Sequence, residues 1–485
     1  MLYTLFHQVR ICWTLVALFS SKLFGQLCRP RPEISTSETK TDGTDDQAFP
    51  IVTEDQLSQA KRSFIDSLGP DAVCALASRY NNGQTCRVVK KDNGSFNVCF
   101  LVEFDQDKSQ WIVRIPIEPA FDDPWDKLLS EITTLRFLER KTLIPVPHIR
   151  AYGRDAKLIE SSSGTQMYLI ADFIPGEPLD KKLLIQADDE ARRKFYSQLI
   201  DILAELRKLE FTSIGSLMPN PNNITHPILG PFMSMSATTL RLPLVPTFET
   251  AKEYIEYQFG LVSSFFVQPV ADHATEDIQA EVFALDGMKC MFDELIDSEL
   301  NAGPFVLSHL DLRSRNIIVD QDLQIRGIID WEFANTVPLQ VFTPPSWITG
   351  HDSISTNKQM HAEFRNVLDE KSETNRLCNQ LRKEWYGLGP YQTDVAFCVA
   401  HVLRCPTDAT DIFCDFFAQK RSDKPLDDII AEFFDRNQAL ASEVKRRTEQ
   451  CERYTQYLKK HGLYETEEDR LLAQSKALKE KWGWS

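Results

Sequence analysis

No CxxC pair and no cluster of cysteine and histidine at metal-ligating spacing occurs in the chain, although it holds 11 cysteines. A zinc-ribbon or disulfide framework is thereby excluded; the odd number, scattered from Cys12 to Cys451, reads as free thiols of a reducing compartment. Basic charge is also scarce. Lys and Arg total 54 against 70 Asp and Glu, a net of −16, so the chain lacks the cationic excess that displaces counterions from nucleic acid. No nucleic-acid partner is expected. Internal repeats are absent as well. The apolar run Ile11–Phe19, behind Arg10, is shorter than the roughly 20 residues of a bilayer-spanning helix. It has the length of a signal-peptide core but no clean small-residue cleavage site follows. Residues 1–28 therefore read as an apolar leader or membrane-contacting anchor.

What is present describes an ordinary globular protein, with 42% hydrophobic and 26% charged residues over 485 positions. That length calls for more than one core. Residues 29–55, rich in Pro, Ser, Thr, Asp and Gly, read as a disordered linker. Gln56–Arg79 carries helical spacing, broken at Gly69-Pro70. The runs CRVVK, NVCFLVEF and QWIVRI, separated by KDNGSF and DQDKS, predict three consecutive antiparallel strands. Asp122-Asp123-Pro124 marks a helix start, and the helix runs to about Arg140. Leu128, Ile132, Leu135 and Leu138 form its apolar stripe, and Glu131 falls on that inward side, where a carboxylate needs a partner. A strand at Met167–Phe173 ends in IPGEPL, whose Pro175-Gly176 pair reads as a hinge.

Beyond the hinge, helical patterns cover Asp189–Leu209, Thr250–Ser264, Ile278–Ser298, Ala362–Trp385 and a charged stretch from Leu426 onward. The expectation is an α+β chain of two lobes. A small antiparallel lobe over residues 56–174 includes the helix carrying Glu131. A larger helical lobe spans residues 175–425, and a helical extension follows over 426–485.

One stretch of the larger lobe breaks the helical pattern. Residues 308–332 read SHLDLRSRNIIVDQDLQIRGIIDWE, in which polar His309, Asp311, Asn316 and Asp330 flank apolar runs that look buried. Folded as a hairpin about DQDL, the segment brings Asn316 and Asp330 to the same edge. A carboxylate and an amide oxygen there, completed by water and phosphate oxygens, make the partial shell that Mg²⁺ prefers. Asp311, on the loop entering the hairpin, can orient an attacking hydroxyl or accept its proton. His309 is expected to brace that loop. In the smaller lobe Arg114, at the end of the third strand, can clamp phosphate while held by Glu131, because guanidinium is planar and always charged. The turn around Gly94 and Ser95 can lay backbone N–H groups over phosphates.

HLDLRSRN followed by GIIDWE resembles the catalytic loop and metal-binding strand of the aminoglycoside phosphotransferase family, whose fold is protein-kinase-like and bilobal. VRIP, SEITTLRFL, IPGEPL and DWEFANTVPLQ are similar to segments of its fungal members. The resemblance implies ATP and Mg²⁺ as cofactors, with Asp311 the catalytic base or orienter. Asn316 and Asp330 would hold magnesium, and Arg114 would stand where lysine is usual, paired to Glu131. Ala171–Ile174, with Asp172 and Ile174, would face adenine through main-chain groups. The chain departs from the family pattern in having one glycine in the phosphate turn, Leu310 for a glycine, Arg313 for a histidine, and Trp331-Glu332 for Phe-Gly. Glu332 thereby becomes a candidate extra metal oxygen.

No Ala-Pro-Glu closes an activation segment, which favours a small-molecule hydroxyl acceptor, and acidic residues of the helical lobe would suit an amine-bearing one. The function expected is an ATP- and Mg-dependent phosphotransferase. The alternatives are a pseudokinase-like nucleotide-binding or scaffold protein, and a choline-kinase-like enzyme differing only in acceptor. The sequon Asn93-Gly94-Ser95 would place a glycan on the phosphate turn, so a cytoplasmic catalytic domain is expected, with membrane association only through the leader.

Overall fold

Alternation is strongest along Asn97–Phe104, where Val98, Phe100, Val102 and Phe104 all turn inward and are fully buried. The computed structural model describes residue 49 and residues 54–476, apart from 122–123, 161, 224, 353–357, 420–423, 467, 470 and 473–474. The leader, nearly all of the linker, the Asp122-Asp123 helix start and residues 477–485 lie outside the described residues.

Helices α1 (Glu54–Ser67) and α2 (Pro70–Tyr80) divide at Gly69-Pro70, as the sequence predicts, with Pro70 opening the second helix. The three expected strands follow: β1 (Cys86–Asn93), β2 (Asn97–Phe104) and β3 (Gln110–Pro116). Helix α3 (Pro124–Lys141) comes next, then β4 (Ile149–Ala156) and β5 (Gln166–Asp172). The strands form one antiparallel sheet in the order β1-β2-β3-β5-β4. Arg114 lies opposite Cys99 on one side and Leu169 on the other, so its strand is central. Val73 and Ala77 of α2 pack with Phe100, Val113 and Ile170 as the core of this lobe. The α3 stripe, Leu128, Ile132, Leu135 and Leu138, belongs instead to the core of the larger lobe.

At the hinge, Gly176 has φ +136, and a Cβ there would stand 2.5 Å from the Val319 carbonyl oxygen. Only glycine fits so close an approach in that conformation. Strand β6 (Glu177–Pro178) follows, then α4 (Asp189–Arg207). Five short strands then build a second sheet that the sequence reading did not anticipate: β7 (Glu210–Phe211), β8 (Ser216–Met218), β9 (Ile228–Gly230), β10 (Phe305–Ser308) and, after the hairpin, β13 (Asn335–Pro338). Its order is β7-β10-β13-β8-β9. The expected hairpin is β11 (Ile317–Val319) with β12 (Ile325–Ile328), and β6 joins it as a third strand.

Besides several helices of four to six residues, the longer remaining helices are α5 (Ala251–Val267), α6 (Thr275–Glu294), α7 (Lys358–Thr374), α8 (Arg376–Tyr386), α9 (Pro390–Arg404), α10 (Leu426–Arg436) and α11 (Gln438–Lys460). The single helix predicted over Ala362–Trp385 is two. Asn375 interrupts it because its side chain accepts from the N–H groups of Leu377 and Cys378, capping the second. Helices α10 and α11 pack on α6 through Ile430, Phe434 and Val444 against Ile278, Val282 and Phe283. Among the described residues no helix is long and apolar enough to cross a membrane, and the described cysteines are free thiols.

Candidate active site

Pairing of Ile317 with Ile328 sets the register of the hairpin, and the Ile329 N–H donates to the Asn316 carbonyl at 3.0 Å. Asn316 thus stands beside Ile329, one residue from Asp330. Asp330 has φ +70, a left-handed conformation that costs a non-glycine residue about 1–2 kcal/mol. His309 fastens the loop to this edge. Its Nε2 donates to the Ile329 carbonyl at 2.9 Å, while its Nδ1 accepts the Asp311 N–H at 3.2 Å. Burial holds this imidazole below its ordinary pKa, in keeping with one proton on Nε2. The bracing role read from the sequence is what the geometry displays.

Asn316 spends its amide N–H on the Asp311 carbonyl at 2.8 Å, which leaves its Oδ1 without a partner among the described residues. Asp330 accepts from Arg114 Nη2 at 2.8 Å through Oδ1, and its Oδ2 is likewise unengaged among the described residues. Two hard oxygens held by one hairpin edge are a donor set that suits Mg²⁺, which keeps several waters and phosphate oxygens in its shell. Asp311 is half-buried, and its Oδ1 accepts from Arg313 Nε.

Above the hairpin lies a buried charge cluster. Arg114 donates to Glu131 and to Asp330, with Glu332 at 3.7 Å. Glu131 is 2% exposed. Burial pushes its carboxyl up to about 7 against the pull of Arg114 and Lys127. The inward carboxylate of α3 therefore has the partner that the sequence demanded. Glu332, a candidate extra metal oxygen in the sequence, does not join Asn316 and Asp330 at the hairpin edge. It accepts from Lys127 and, at 2.7 Å, from Asn97 Nδ2, because the chain after Asp330 turns toward the smaller lobe. Lys127 is the residue the sequence reading passed over. It is 4% exposed, and its ammonium lies 4.6 Å from the Phe121 ring and 5.4 Å from Phe333. The available signal was its place one helical turn before Glu131, on the same inward face.

Gly94 and Ser95 sit exposed in the β1–β2 turn, and no contact among the described residues joins either to the cluster. The turn reaches the site through its next residues instead: Phe96 packs edge-on against Phe333, and Asn97 binds Glu332. A Cβ at Gly94 would meet nothing within 4 Å, so the turn has open space above it. At the hinge, Asp172 directs its carboxylate to Arg150 at 2.6 and 3.0 Å, and its N–H is taken by the His148 carbonyl. Ile174 differs. Its main-chain N–H and C=O have no partner among the described residues, while its side chain fills the space over Gly327, where a Cβ would clash with it. Of the two hinge residues, Ile174 keeps the groups that can read an adenine edge.

Clavilactone A biosynthesis cluster protein Y of Ampulloclitocybe clavipes is 25% identical over 330 residues, 63% of this chain and 74% of that protein. Altered inheritance of mitochondria protein 9 of Candida tropicalis is 34% identical over 112 residues, 22% of this chain and only 17% of that protein. Among solved structures, macrolide 2'-phosphotransferase type I aligns with a TM-score of 0.37 at 13% identity, covering 79% of this chain and 98% of that one. The family model described as the phosphotransferase enzyme family matches residues 93–339. That match takes in the turn, Arg114, α3, the hinge and the whole 308–332 segment, more than half of the chain. The chain therefore belongs to the phosphotransferase enzyme family.

Proposed function

We propose that this protein transfers the γ-phosphoryl group of ATP, in the presence of Mg²⁺, to a hydroxyl of a small molecule. The observation that carries the reading is the hairpin edge: two unengaged oxygens, of Asn316 and Asp330, beside the loop that presents Asp311. Kinase-type enzymes need little else from the protein than positioning and charge stabilisation. Asp311 orients the acceptor hydroxyl and receives its proton. As the acceptor oxygen bonds to the γ-phosphorus, the bond to the bridging oxygen breaks and ADP leaves. Asn316 and Asp330 would hold Mg²⁺, which when bound neutralises charge on the phosphate oxygens. Arg114, fixed by buried Glu131, supplies a second positive group at the phosphates, and Ile174 presents main-chain groups to the base.

A second reading has its own support. Both functional carboxylates are already held by arginines, Asp311 by Arg313 and Asp330 by Arg114, as a nucleotide-binding protein without efficient turnover would have them. One experiment separates the two. Mg-ATP is supplied with a panel of small hydroxyl compounds, and ADP release is followed for the wild type and for Asp311→Ala. The enzyme reading expects acceptor-stimulated ADP release that falls at least a hundredfold in the variant. Turnover that is equal in both proteins removes Asp311 from the chemistry. Nucleotide binding without stimulation by any acceptor favours the second reading.

A further inference from the structure

A pocket of about 50 Å³ opens beside the catalytic loop, room for a small polar group. Ser308, His309 and Leu312, which flank Asp311, line it together with Ser346, His401 and Arg404. No Asp or Glu lines it, and Arg404 is its one permanent cation. Those walls do not match the amine-bearing acceptor that the acidic composition led us to expect.

The polar groups of the pocket form a directed chain. Asp408 Oδ2 lies 2.8 Å from His401 Nε2, and a carboxylate can only accept, so Nε2 carries the proton. Burial keeps this imidazole neutral. Its Nδ1 then accepts from the Ser346 hydroxyl at 3.0 Å, and Ser346 Oγ accepts in turn from Arg404 Nη2. The chain ends on Arg404. No carboxylate pairs with Arg404 among the described residues, and its buried Nε has no hydrogen-bond partner. A guanidinium N–H held away from water without an acceptor is unfavourable until one arrives. Cys405, whose thiol is pushed up by burial, feels Arg404, Asp408, Arg313 and Asp311, which places Arg404 and Asp311 in one neighbourhood.

Contrary to the sequence reading, which found no cysteine–histidine cluster, His401, Cys405 and Asp408 bring ligand atoms within 4.8 Å of one another, close enough for a cation. Both His401 nitrogens are engaged, however, and Arg404 Nη2 stands 3.4 Å from the ring. A cation would be repelled there and an anion drawn in.

We propose that this pocket receives a carboxylate of the acceptor, that Arg404 recognises it, and that the compound phosphorylated is a hydroxy acid. The inference rests on the phosphotransferase reading for its chemistry and on the pocket alone for its binding. Planar guanidinium pairs with carboxylate through two parallel hydrogen bonds, and the small volume favours carboxylate over a phosphate monoester.

The test uses the full chain with Mg-ATP. ADP release is measured on glycerate and 3-hydroxybenzoate, on glycerol, on ethanolamine and choline, and on glycerol 3-phosphate. The acids should exceed the neutral and amine compounds at least tenfold in kcat/KM. Arg404→Met should raise KM for the acids by roughly thirtyfold or more, and Arg404→Lys should recover part of it. A thermal shift with benzoate or acetate reads the pocket without turnover. It should stabilise the wild type and leave Arg404→Met unmoved, with the Mg-ATP shift as the folding control. Amines used as well as acids, an acid KM indifferent to Arg404, or no carboxylate shift in the wild type each overturns the proposal. Turnover of glycerol 3-phosphate alone makes the pocket a phosphate site and also overturns it. An Arg404-dependent carboxylate shift with no phosphorylation of any compound leaves the pocket standing and counts against the phosphotransferase reading.

Discussion

Lys127 and Glu332 are both almost fully buried, and each is the other's principal counter-charge. Removing one leaves a carboxylate or an ammonium stranded in a low dielectric, a loss of about 3–5 kcal/mol. Lys127→Met should therefore lower stability by that amount in urea unfolding. The double variant Lys127→Met/Glu332→Gln should recover a large part, since neither charge is then alone. Additive losses in the cycle would show that the two side chains act independently. Asp330→Ala has a different signature. It frees Arg114 from one of its partners and removes the oxygen proposed to hold Mg²⁺, so Mg-ATP binding should weaken at least tenfold by calorimetry while Mg-free ATP binding changes little. An unchanged Mg-ATP affinity withdraws Asp330 from the metal edge.

At the scale of elements, Gly176 ties the hinge to the hairpin. Its φ of +136 and the 2.5 Å approach to the Val319 carbonyl leave no room for a methyl group. Gly176→Ala should cost about 2 kcal/mol or more and disturb the β6–β11 pairing that sets the hinge beside the hairpin. A stability equal to wild type would mean that the hinge strand can detach without consequence. The same elements explain how much could be read beforehand. The β2 alternation, the α3 stripe with its misplaced carboxylate, the Pro-Gly hinge and the polar ends of the 308–332 hairpin are all local patterns, and each is found where the pattern puts it. The five-stranded second sheet is not local. Its strands are two to four residues long, too short for periodicity, and β8 meets β13 across more than a hundred residues of chain. Strand β4 went unrecognised because Arg150, Arg154 and Asp155 face solvent and mask its few buried positions. Arg404 could not be read as a site residue at all, since its meaning depends on which side chains fail to reach it.

For the whole molecule, histidines lowered by burial add a sensitivity to acid. His361, packed against Tyr386, is lowered from 6.5 to about 4, chiefly by burial and then by His351 and Arg365. His401 is lowered as well. A histidine depressed in the folded state contributes stability that is full above about 6.5 and is lost as pH falls through the folded value. The protein should therefore lose stability between pH 6.5 and 4, with about 3 kcal/mol coming from His361. His361→Gln should flatten that part of the profile in urea titrations at stepped pH. A profile identical to wild type assigns the acid sensitivity to other groups.

The helix that carries Glu131 is cemented to the larger core, whereas Arg114 belongs to the sheet of the smaller lobe. Any breathing of the cleft must then prise Arg114 from two acids anchored on the opposite shore and Asn97 from Glu332 beside them. If the cleft takes nucleotide as proposed, exchange of the spent nucleotide would be metered by how readily these contacts let go, and a milder cation at position 114 would trade grip for speed.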